Sequence, residues 1–348
     1  MSKTTVSAVA LESRTAAVFQ ALGFDAESAL LIAAQLVEAD LRGVHSHGVM
    51  LMPVYVERLR KGIVGTHTEG EVVVDGGAIA VIDAHNGMGQ LIGRQAMSLA
   101  IQKAHQFGIG AVGVRHSQHF GAAAHFVRMA IDSGCIGMAV ANTSPVMPAP
   151  GGAEGVVGNN PVALGVPAKT EPPMILDMAL SQVAGGKIRL AAIAGTPIPA
   201  DWATDSDGIA TTDPNKGLKG FFLPMAGPKG FGLAMFVEML CGPLIGGSWG
   251  SSVHRLYFSD EPHDCGHFFL AFDVERFGNG TEFRPQVDQI AANVHNARRA
   301  PGVERLYMPG EIEEEKAVNQ RGSGIELESE VLANLDRFHA ELVEGRQL

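Results

Sequence analysis

Residues 72–93 read VVVDGGAIAVIDAHNGMGQLIG and contain two glycine-rich turns that decide the class of fold. The first turn, Asp75-Gly76-Gly77, lies between two β-branched segments and predicts a β-hairpin. The second turn, at 87–93, follows a strand and opens a helix, as the phosphate-binding turn of a Rossmann fold does. Its spacing is GxGxxxG rather than GxGxxG, and no Asp or Glu occurs between Asp83 and Asp132 to bind ribose hydroxyls. We therefore predict that this second turn is structural and does not bind a dinucleotide.

The periodicity of apolar residues on either side of this stretch predicts the remaining elements. Before it, helical spacing covers 11–22, 26–42 and 52–61, with Asp25 as an N-cap and Gly43 as a stop. After it, helices are expected at 91–107, 122–133, 286–299 and 328–343, and strands at 110–115, 136–142, 162–166, 174–178 and 267–274. We predict an α/β fold with a mixed or antiparallel sheet. Residues 71–284 would form the α/β domain. The two ends of the chain, 1–70 and 285–348, would together form a helical domain.

Composition excludes several classes of function. The chain has 348 residues, of which 46% are hydrophobic, so it can bury a large core. Its net charge of −11, with no basic cluster beyond Arg298-Arg299, argues against nucleic acid or an anionic membrane as a partner. The most apolar stretch, 230–246, is interrupted by Glu238 and Pro243, which favours a buried helix over a membrane span. The N-terminus lacks a signal-peptide pattern and the three cysteines are scattered, so we expect a cytoplasmic protein with buried thiols.

Two histidine-rich segments are the strongest candidates for chemistry. Gly43-Val44-His45-Ser46-His47-Gly48 places histidines on a turn between two predicted helices. A histidine on a turn can face a cleft, and its unperturbed pKa of about 6.5 suits proton transfer near neutral pH. Alternatively, these histidines bind carbonyl groups at a helix end. The second segment, 115–121, carries His116 and His119 after a strand, where α/β folds place ligands. No HExxH or paired Cys/His pattern accompanies it, so we predict no metal.

Polar turns and one isolated carboxylate add further candidates. The turns at 142–145 (NTSP) and 158–161 (GNNP) flank strands and offer amide and hydroxyl groups, although such turns are often structural. Asp177 lies within an apolar strand, so it needs a partner, and a histidine is an obvious one. Lys229 opens a predicted helix, where a cation and free backbone N–H groups together suit an anion.

A Ser–His–Asp hydrolase is an alternative from another enzyme class, with Ser46, His47 and Asp177 as its members. No G-x-S-x-G elbow occurs in the sequence, and a serine adjacent to its own histidine is poorly placed as that histidine's nucleophile. A dinucleotide-binding sensor without catalytic activity is a third possibility.

Nine segments occur in an order that resembles the malate/L-lactate dehydrogenase family. They are DLRGVHSHGV, VRHSQHFG, NTSP, GNNP, LDMALSQVAGGKI, DSDGIATTDP, GPKGFGLAMFVEML, CGHFFLAFD and YMPGE, and they extend over about 11–311. The family includes ureidoglycolate and sulfolactate dehydrogenases, diketogulonate reductase and the piperideine/pyrroline-2-carboxylate reductases. The resemblance implies a homodimer with an interfacial active site and a nicotinamide-binding domain that is not a Rossmann fold.

The resemblance also implies roles for individual residues. Ser46 and His47 match the family's proton-transfer pair, Asp177 matches the aspartate that completes the relay, and His119 matches a histidine that some members use as acid/base. The segments that resemble the family's contacts to NAD or NADP contain His119, Thr143, Ser144, Asn160, Asp177, Met178, Ala179, Lys229, Pro309, Gly310 and Glu311.

This sequence departs from the family pattern where many members carry arginines suited to a substrate carboxylate. Leu51 and Val54 stand at those positions, which argues against a dicarboxylate such as malate. Arg58 and Arg115 are candidate replacements. His45 is similar to a residue of the cyclic imino acid reductases, so a reductase of that kind is an alternative to a 2-oxo/2-hydroxy acid dehydrogenase. We expect His47 to be the acid/base, because Asp177 can orient it.

Overall fold

The computed structural model describes residues 3–257, 259–278 and 280–346. Its strands are β1 (Lys3–Val6), β2 (Glu71–Gly76), β3 (Ile79–Asp83), β4 (Ile109–Ser117), β5 (Cys135–Ala141), β6 (Met147–Pro148), β7 (Gly155–Val157), β8 (Val162–Val166), β9 (Met174–Met178), β10 (Cys265–Asp273) and β11 (Ile325–Glu328). Its α-helices are α1 (Ala8–Ala21), α2 (Ala26–Leu41), α3 (Met52–Arg60), α4 (Gly89–Phe107), α5 (Ala124–Asp132), α6 (Gly185–Ala194), α7 (Pro214–Lys219), α8 (Pro228–Cys241), α9 (Gly280–His295), α10 (Glu311–Ser323) and α11 (Ser329–Phe338). Short 3-10 turns include His45–His47 and Val49–Leu51.

A seven-stranded sheet in the order β2-β3-β4-β10-β5-β8-β9 forms the centre of the molecule. Only β3 and β4 pair in parallel, and the other neighbours in this sheet pair antiparallel. The predicted mixed sheet is therefore confirmed. The predicted hairpin is also confirmed: β2 and β3 are joined at Gly77, whose φ of +65° is the left-handed conformation that glycine adopts easily.

Apolar side chains form two large cores. One core packs α1, α2 and α3 against α11 and the strand pair β1–β11, so it joins the two ends of the chain. The second lies between the sheet and the helices α4 and α5. A smaller cluster, which includes Met147, Leu180 and Val237, packs α8 near the strands β5 and β8.

Local sequence determines where α2 begins and ends. The Asp25 carboxylate accepts a hydrogen bond from the Ser28 backbone N–H at 2.8 Å and caps the helix, as predicted. Gly43, with φ +74°, follows the helix and turns the chain toward His45. Several other elements were missed: α6 opens with two glycines, α7 is short, α10 is polar, and the β1–β11 pair is formed by residues from opposite ends of the chain.

The glycine-rich turn at 87–93 brings α4 into direct contact with the second histidine segment. A Cβ at Gly89 would lie 2.1 Å from the carbonyl oxygen of Gln118 and 2.6 Å from that of His119. A Cβ at Gly93 would lie 2.7 Å from the Phe126 ring. These glycines therefore permit close packing between helix and backbone.

The apolar stretch that was expected to be a buried helix forms α8, which is only partly buried. Ala234, Val237 and Cys241 face the protein, and a second set is exposed, Leu233, Phe236 and Met239. Residues Pro228–Ile245 form the one stretch among the described residues whose length and hydropathy would allow a membrane crossing. Core helices of soluble proteins meet the same criteria, so this is weak evidence for a membrane span.

A cluster of charges joins the two cores. Glu38 on α2 accepts from His125 Nδ1 at 2.7 Å and lies 3.3 Å from Arg42 Nε and 3.5 Å from Arg128 Nε. Burial raises the pKa of the Glu38 carboxyl, but His125, Arg42 and Arg128 outweigh it and lower the pKa to about 2. The ionised carboxylate is thus more stable in the folded chain than in the unfolded chain.

We predict that Gly89→Ala lowers the free energy of unfolding by about 1–3 kcal/mol, because its Cβ would overlap two carbonyl oxygens. Gly186→Ala is the matched control: no atom lies within 4 Å of a Cβ there, and alanine favours the helix. Urea unfolding of both variants measures the difference. Equal midpoints for Gly89→Ala and the wild type would contradict the packing role.

Acid should destabilise the protein in part through Glu38. Its pKa rises from about 2 in the folded state to the ordinary 4.5 on unfolding, so its contribution is complete above pH 4.5 and is lost as the pH falls toward 2. That shift corresponds to about 3 kcal/mol. Urea midpoints between pH 5 and 3 should fall less steeply for Glu38→Gln than for the wild type or for the exposed control Glu69→Gln. Parallel acid profiles would rule out this contribution.

Candidate active site

A buried aspartate holds the turn that carries Ser46 and His47. The Asp40 carboxylate, at the end of α2, is bonded to His45 Nδ1 at 2.8 Å and accepts from the Val49 backbone N–H at 2.8 Å. Gly48 makes this possible, because a Cβ there would lie 2.1 Å from Asp40 Oδ1. Ser46 Oγ and His47 Nδ1 lie 3.0 Å apart. The fixed turn presents His47 half-buried, beside a hydroxyl group.

The structure brings the two histidine segments together. His119 follows β4, and its ring stacks on that of His47 with centroids 5.7 Å apart and planes 25° apart. The Tyr55 hydroxyl of α3 lies 2.7 Å from His119 Nδ1. Both imidazoles are half-buried. Three separate elements therefore contribute polar groups to one place.

Burial lowers the pKa of both histidines. For His47, burial is the only cause. For His119, burial is the largest cause, and the neighbouring His47, His263 and His267 lower the pKa further. The pKa of His119 lies well below 6.5, so the pair is uncharged at neutral pH in the free protein.

Asp177 does not join this pair within the part of the chain that the structure describes. Its carboxylate accepts from the backbone N–H of Ala124, at the start of α5, at 2.8 Å, and no hydrogen bond links it to Ser46 or His47. Although the Asp177 side chain reaches the surface, burial of its carboxyl, together with the nearby Glu313 carboxylate, raises its pKa to about 6. The expected orientation of His47 by Asp177 is therefore not present in the single chain, where Ser46 is the hydrogen-bonding neighbour.

The two polar turns pair with each other. Thr143 donates its backbone N–H to Asn160 Oδ1 at 3.0 Å and its hydroxyl to Asn159 Oδ1 at 3.0 Å. Asn160 is fully buried and donates to the Ala234 carbonyl and the Glu238 carboxylate of α8, at 2.9 and 2.7 Å. Ser144, next to Thr143, is half-buried. The amide of Asn160 is thus used structurally, while the backbone around Thr143 and Ser144 remains partly accessible.

Lys229 lies exposed in the first turn of α8, without an ion pair among the described residues. The segment before it, 223–227, lines a cavity of about 540 Å³ together with Gln182 and Asp201. Gly227 has φ +63°, and no atom lies within 4 Å of a Cβ built there. The helix start therefore combines a cation with an open groove, which fits the phosphate groups of a dinucleotide.

The turn at 309–311 packs against the strand that carries Asp177. Pro309 accepts from the Ile175 backbone N–H at 2.9 Å, and Gly310, with φ +93°, would place a Cβ 2.9 Å from the Ile175 carbonyl oxygen. Glu311 is buried and bonded to His295 Nε2 at 2.7 Å. On the same strand Met178 is half-buried, and it is followed by Ala179.

The arginines proposed for the substrate are already engaged. Arg58 is buried and donates to Gln118 Oε1 and to the carbonyl oxygens of 256, 259 and 261, at 2.9–3.4 Å. Arg115 forms an ion pair with Asp83 at 2.9 Å. Leu51 and Val54 are buried in the first core. The expectation that Arg58 is a free carboxylate ligand is therefore not met: the structure gives it a structural role.

Sequence reasoning missed Tyr55 and Asp40. Tyr55 lies within the predicted helix 52–61 and Asp40 within the predicted helix 26–42, and neither was singled out as a site residue. Nothing in the local pattern shows that the Tyr55 hydroxyl reaches a histidine 64 positions later. For Asp40, the clue was Gly48, because a glycine in this turn allows another group to approach the backbone closely.

Comparison with known proteins gives consistent results. The sequence matches the family model of malate/L-lactate dehydrogenase over residues 6–336. It is 37% identical to a malate dehydrogenase of Pyrococcus abyssi over 302 residues, covering 84% of this chain and 83% of that protein. It is 34% identical to the NAD(+)-dependent ureidoglycolate dehydrogenase of Escherichia coli over 314 residues, with 89% and 88% covered. The crystal structure of malate dehydrogenase from Entamoeba histolytica superposes with a TM-score of 0.93 at 29% identity and covers 99% of that chain and 100% of this one.

Proposed function

Because the chain belongs to the malate/L-lactate dehydrogenase family and is an NAD(P)-dependent dehydrogenase, we propose that it reduces the C2 carbonyl of a 2-oxo acid or oxidises the 2-hydroxy acid. The observation that carries the proposal is the stacked pair of His47 and His119, which places titratable groups from two segments side by side. When bound, the nicotinamide supplies or accepts the hydride. The balance is 2-oxo acid, NAD(P)H and one proton giving the 2-hydroxy acid and NAD(P)+.

The chain's own residues would hold the cofactor and move the proton. Lys229 and the open start of α8 fit the phosphate groups, while the backbone at Thr143 and Ser144 and the turn at 309–311 would bound the rest of the site. His47, with Ser46 at its Nδ1, would transfer the proton to or from the substrate oxygen. Asp177 would complete the site by binding a donor on the bound molecules, or on a second copy of the chain.

The substrate is proposed to be a monocarboxylic 2-oxo acid. The two positions that carry arginine in many family members are Leu51 and Val54, both buried. Arg58 and Arg115 are engaged by acceptors of the protein itself. Because neither arginine is free, a substrate with two carboxylates would bury more uncompensated charge among the described residues than a substrate with one.

A cyclic imino acid is the alternative substrate, since hydride transfer to a C2 imine needs the same groups. The residue that favoured it, His45, is bonded to the buried Asp40, and this contact accounts for its presence without a substrate. The hydrolase alternative is disfavoured, because no hydrogen bond links Asp177 to His47 among the described residues. We rank the 2-oxo acid first.

The proposed cofactor site is not of the Rossmann type. Rossmann sheets are largely parallel, whereas this sheet has one parallel pair. Gly89 packs on protein carbonyl groups, which leaves no room for a pyrophosphate at that point. We propose two domains, 1–70 with 285–348 and 71–284; the buried members of the first core come from the former except Met88 and Leu91, and those of the second come from the latter.

A second copy of the chain is the proposed occupant of the exposed apolar face near the cofactor site. The exposed apolar side chains of α8 are Leu233, Phe236 and Met239, each at least 39% exposed, and those of α6 are Leu190 and Ile193. An apolar surface of this kind favours a homodimer. Cytoplasmic residence is proposed because all three cysteines are free and buried.

A panel of 2-oxo acids, with piperideine-2-carboxylate as the imino substrate, tests the proposal through the absorbance of NADH or NADPH. We expect turnover of at least one monocarboxylic 2-oxo acid and weaker turnover of oxaloacetate. No oxidation of either cofactor with any member of the panel would contradict the proposed function.

Lys229→Ala should weaken binding of reduced cofactor by roughly 1–3 kcal/mol, the effect of losing a charged hydrogen bond to phosphate. Lys169→Ala, another exposed lysine without an ion pair in the described residues, is the control. Cofactor fluorescence measures both affinities. An unchanged affinity for Lys229→Ala would remove this residue from the site.

Single-turnover hydride transfer at saturating substrate should separate the two histidines. His47→Asn should slow the chemical step by roughly 10²–10⁴-fold, the usual contribution of general acid/base catalysis. His119→Gln keeps an N–H donor and should lose far less of that step. The reverse order, with His119→Gln losing the chemical step and His47→Asn mainly raising KM, would exchange their roles.

A further inference from the structure

The hydrogen bonds at His119 Nδ1 determine which of its nitrogens carries a proton. The Gly121 backbone N–H points at Nδ1 from 3.4 Å, and a backbone N–H can only donate. Nδ1 must therefore be the acceptor. The Tyr55 hydroxyl, whose oxygen lies 2.7 Å from the same nitrogen, must then donate a hydrogen bond to it as well. This leaves the ring proton on Nε2, which makes no hydrogen bond within the described residues.

From this geometry we infer that His119 works as a neutral imidazole with its proton on Nε2, and that Tyr55 is the positioning residue whose short hydrogen bond, together with the Gly121 N–H, holds this tautomer. The inference rests on the proposed function for the role of Nε2: its N–H would donate a hydrogen bond to the carbonyl oxygen or imine nitrogen of the substrate. His119 would thus polarise the C2 double bond but keep its proton. The proton that ends on the substrate would come from His47.

Tyr55 is well placed to act as a fixed donor. It lies on α3, is 3% exposed, and belongs to the first core, so its ring is held by packing. Burial raises the pKa of its hydroxyl, which keeps that group protonated. A phenol held in this way can donate a hydrogen bond to Nδ1 without competition from water.

The glycine-rich turn at 87–93 supports Tyr55 from behind. Gln90 belongs to this turn, is fully buried, and lies beside the Tyr55 hydroxyl. Neither polar atom of its side-chain amide has a hydrogen-bond partner among the described residues, so the amide N–H is available. An amide N–H there can donate to the hydroxyl oxygen, which directs the hydroxyl proton toward His119. A motif that resembles a nucleotide-binding turn thus supports the catalytic histidine.

The surroundings of His119 also favour the uncharged ring. The titratable groups that face it are His47, His263, His267 and Tyr55, and no carboxylate is hydrogen-bonded to it within the described ranges. Burial lowers the pKa of His263 to about 4 and that of His267 to about 3, so both are neutral as well.

The chemical step balances with these roles. In the direction of reduction, a hydride adds to C2 and forms the new C–H bond, while the π electrons of the double bond move to the oxygen. For this, His47 first takes up the one proton of the balance from solvent and becomes an imidazolium ion; the oxygen then takes that proton, which returns His47 to its neutral form, and holds the hydrogen bond from His119 Nε2. In oxidation the same proton returns to His47, and His119 again stays neutral.

Nitrogen-15 NMR of the full-length protein labelled at histidine tests the tautomer directly, without cofactor or substrate. We expect the His119 signals, identified by their loss in His119→Gln, to show a non-protonated Nδ1 and a protonated Nε2 at pH 7. Tyr55→Phe should shift them toward a mixture of tautomers, and the control Tyr307→Phe, at an exposed tyrosine, should not. A protonated Nδ1 in the wild type would overturn the inference.

Kinetics provide a second readout. Tyr55→Phe should lower kcat about tenfold, the effect of one neutral hydrogen bond of about 1.4 kcal/mol, with KM changed far less. In the His119→Gln background the same substitution should have almost no effect, because the group that Tyr55 positions is absent. An equal loss in both backgrounds would show that Tyr55 is merely structural. If no substrate is turned over, the proposed function fails, while the NMR result still decides the tautomer.

Discussion

The close approach of Gly89 to the carbonyl oxygens of Gln118 and His119 is the contact on which the site depends. It joins the first turn of α4, and with it the sheet, to the segment that carries His119. It also places Gln90 beside the hydroxyl of Tyr55, which is a member of the first core. Any side chain at position 89 would separate these parts. The packing of a helix start on backbone therefore helps to hold the segment of His119, while Asp40 holds the turn of His47.

How much could be predicted from the sequence follows from the range of each interaction. Hairpin, caps and strand periodicity are local, so β2, β3, α2 and the alternation that follows were predicted within a few residues. The segments of His47 and His119 were also found, because glycine and histidine on turns are conspicuous. Their contact, and the hydroxyl of Tyr55, depend on side chains that come from three distant elements. No local pattern contains that information.

The predicted contact between Asp177 and His47 shows that residue type alone can also predict a contact that the single chain does not form. A carboxylate in an apolar strand was expected to find a histidine, and pairing by chemical type pointed to His47. In the single chain the carboxylate instead accepts from the Ala124 backbone at the start of α5. A helix start offers unpaired N–H groups at no cost in side-chain ordering, so it competes effectively for a nearby carboxylate. Residue type alone does not distinguish these partners.

The uncharged histidines and the engaged arginines bear on how a substrate arrives. The chain that an organic acid approaches has a net charge of −11. Among the described residues of the site, His47 and His119 are uncharged. Arg58 and Arg115 are already bonded to acceptors. Long-range electrostatic attraction therefore contributes little to the encounter, and the overall field opposes it. Added salt screens that repulsion. Association of an anionic substrate would then accelerate as ionic strength rises, the opposite of the behaviour of enzymes whose clefts are lined with cations.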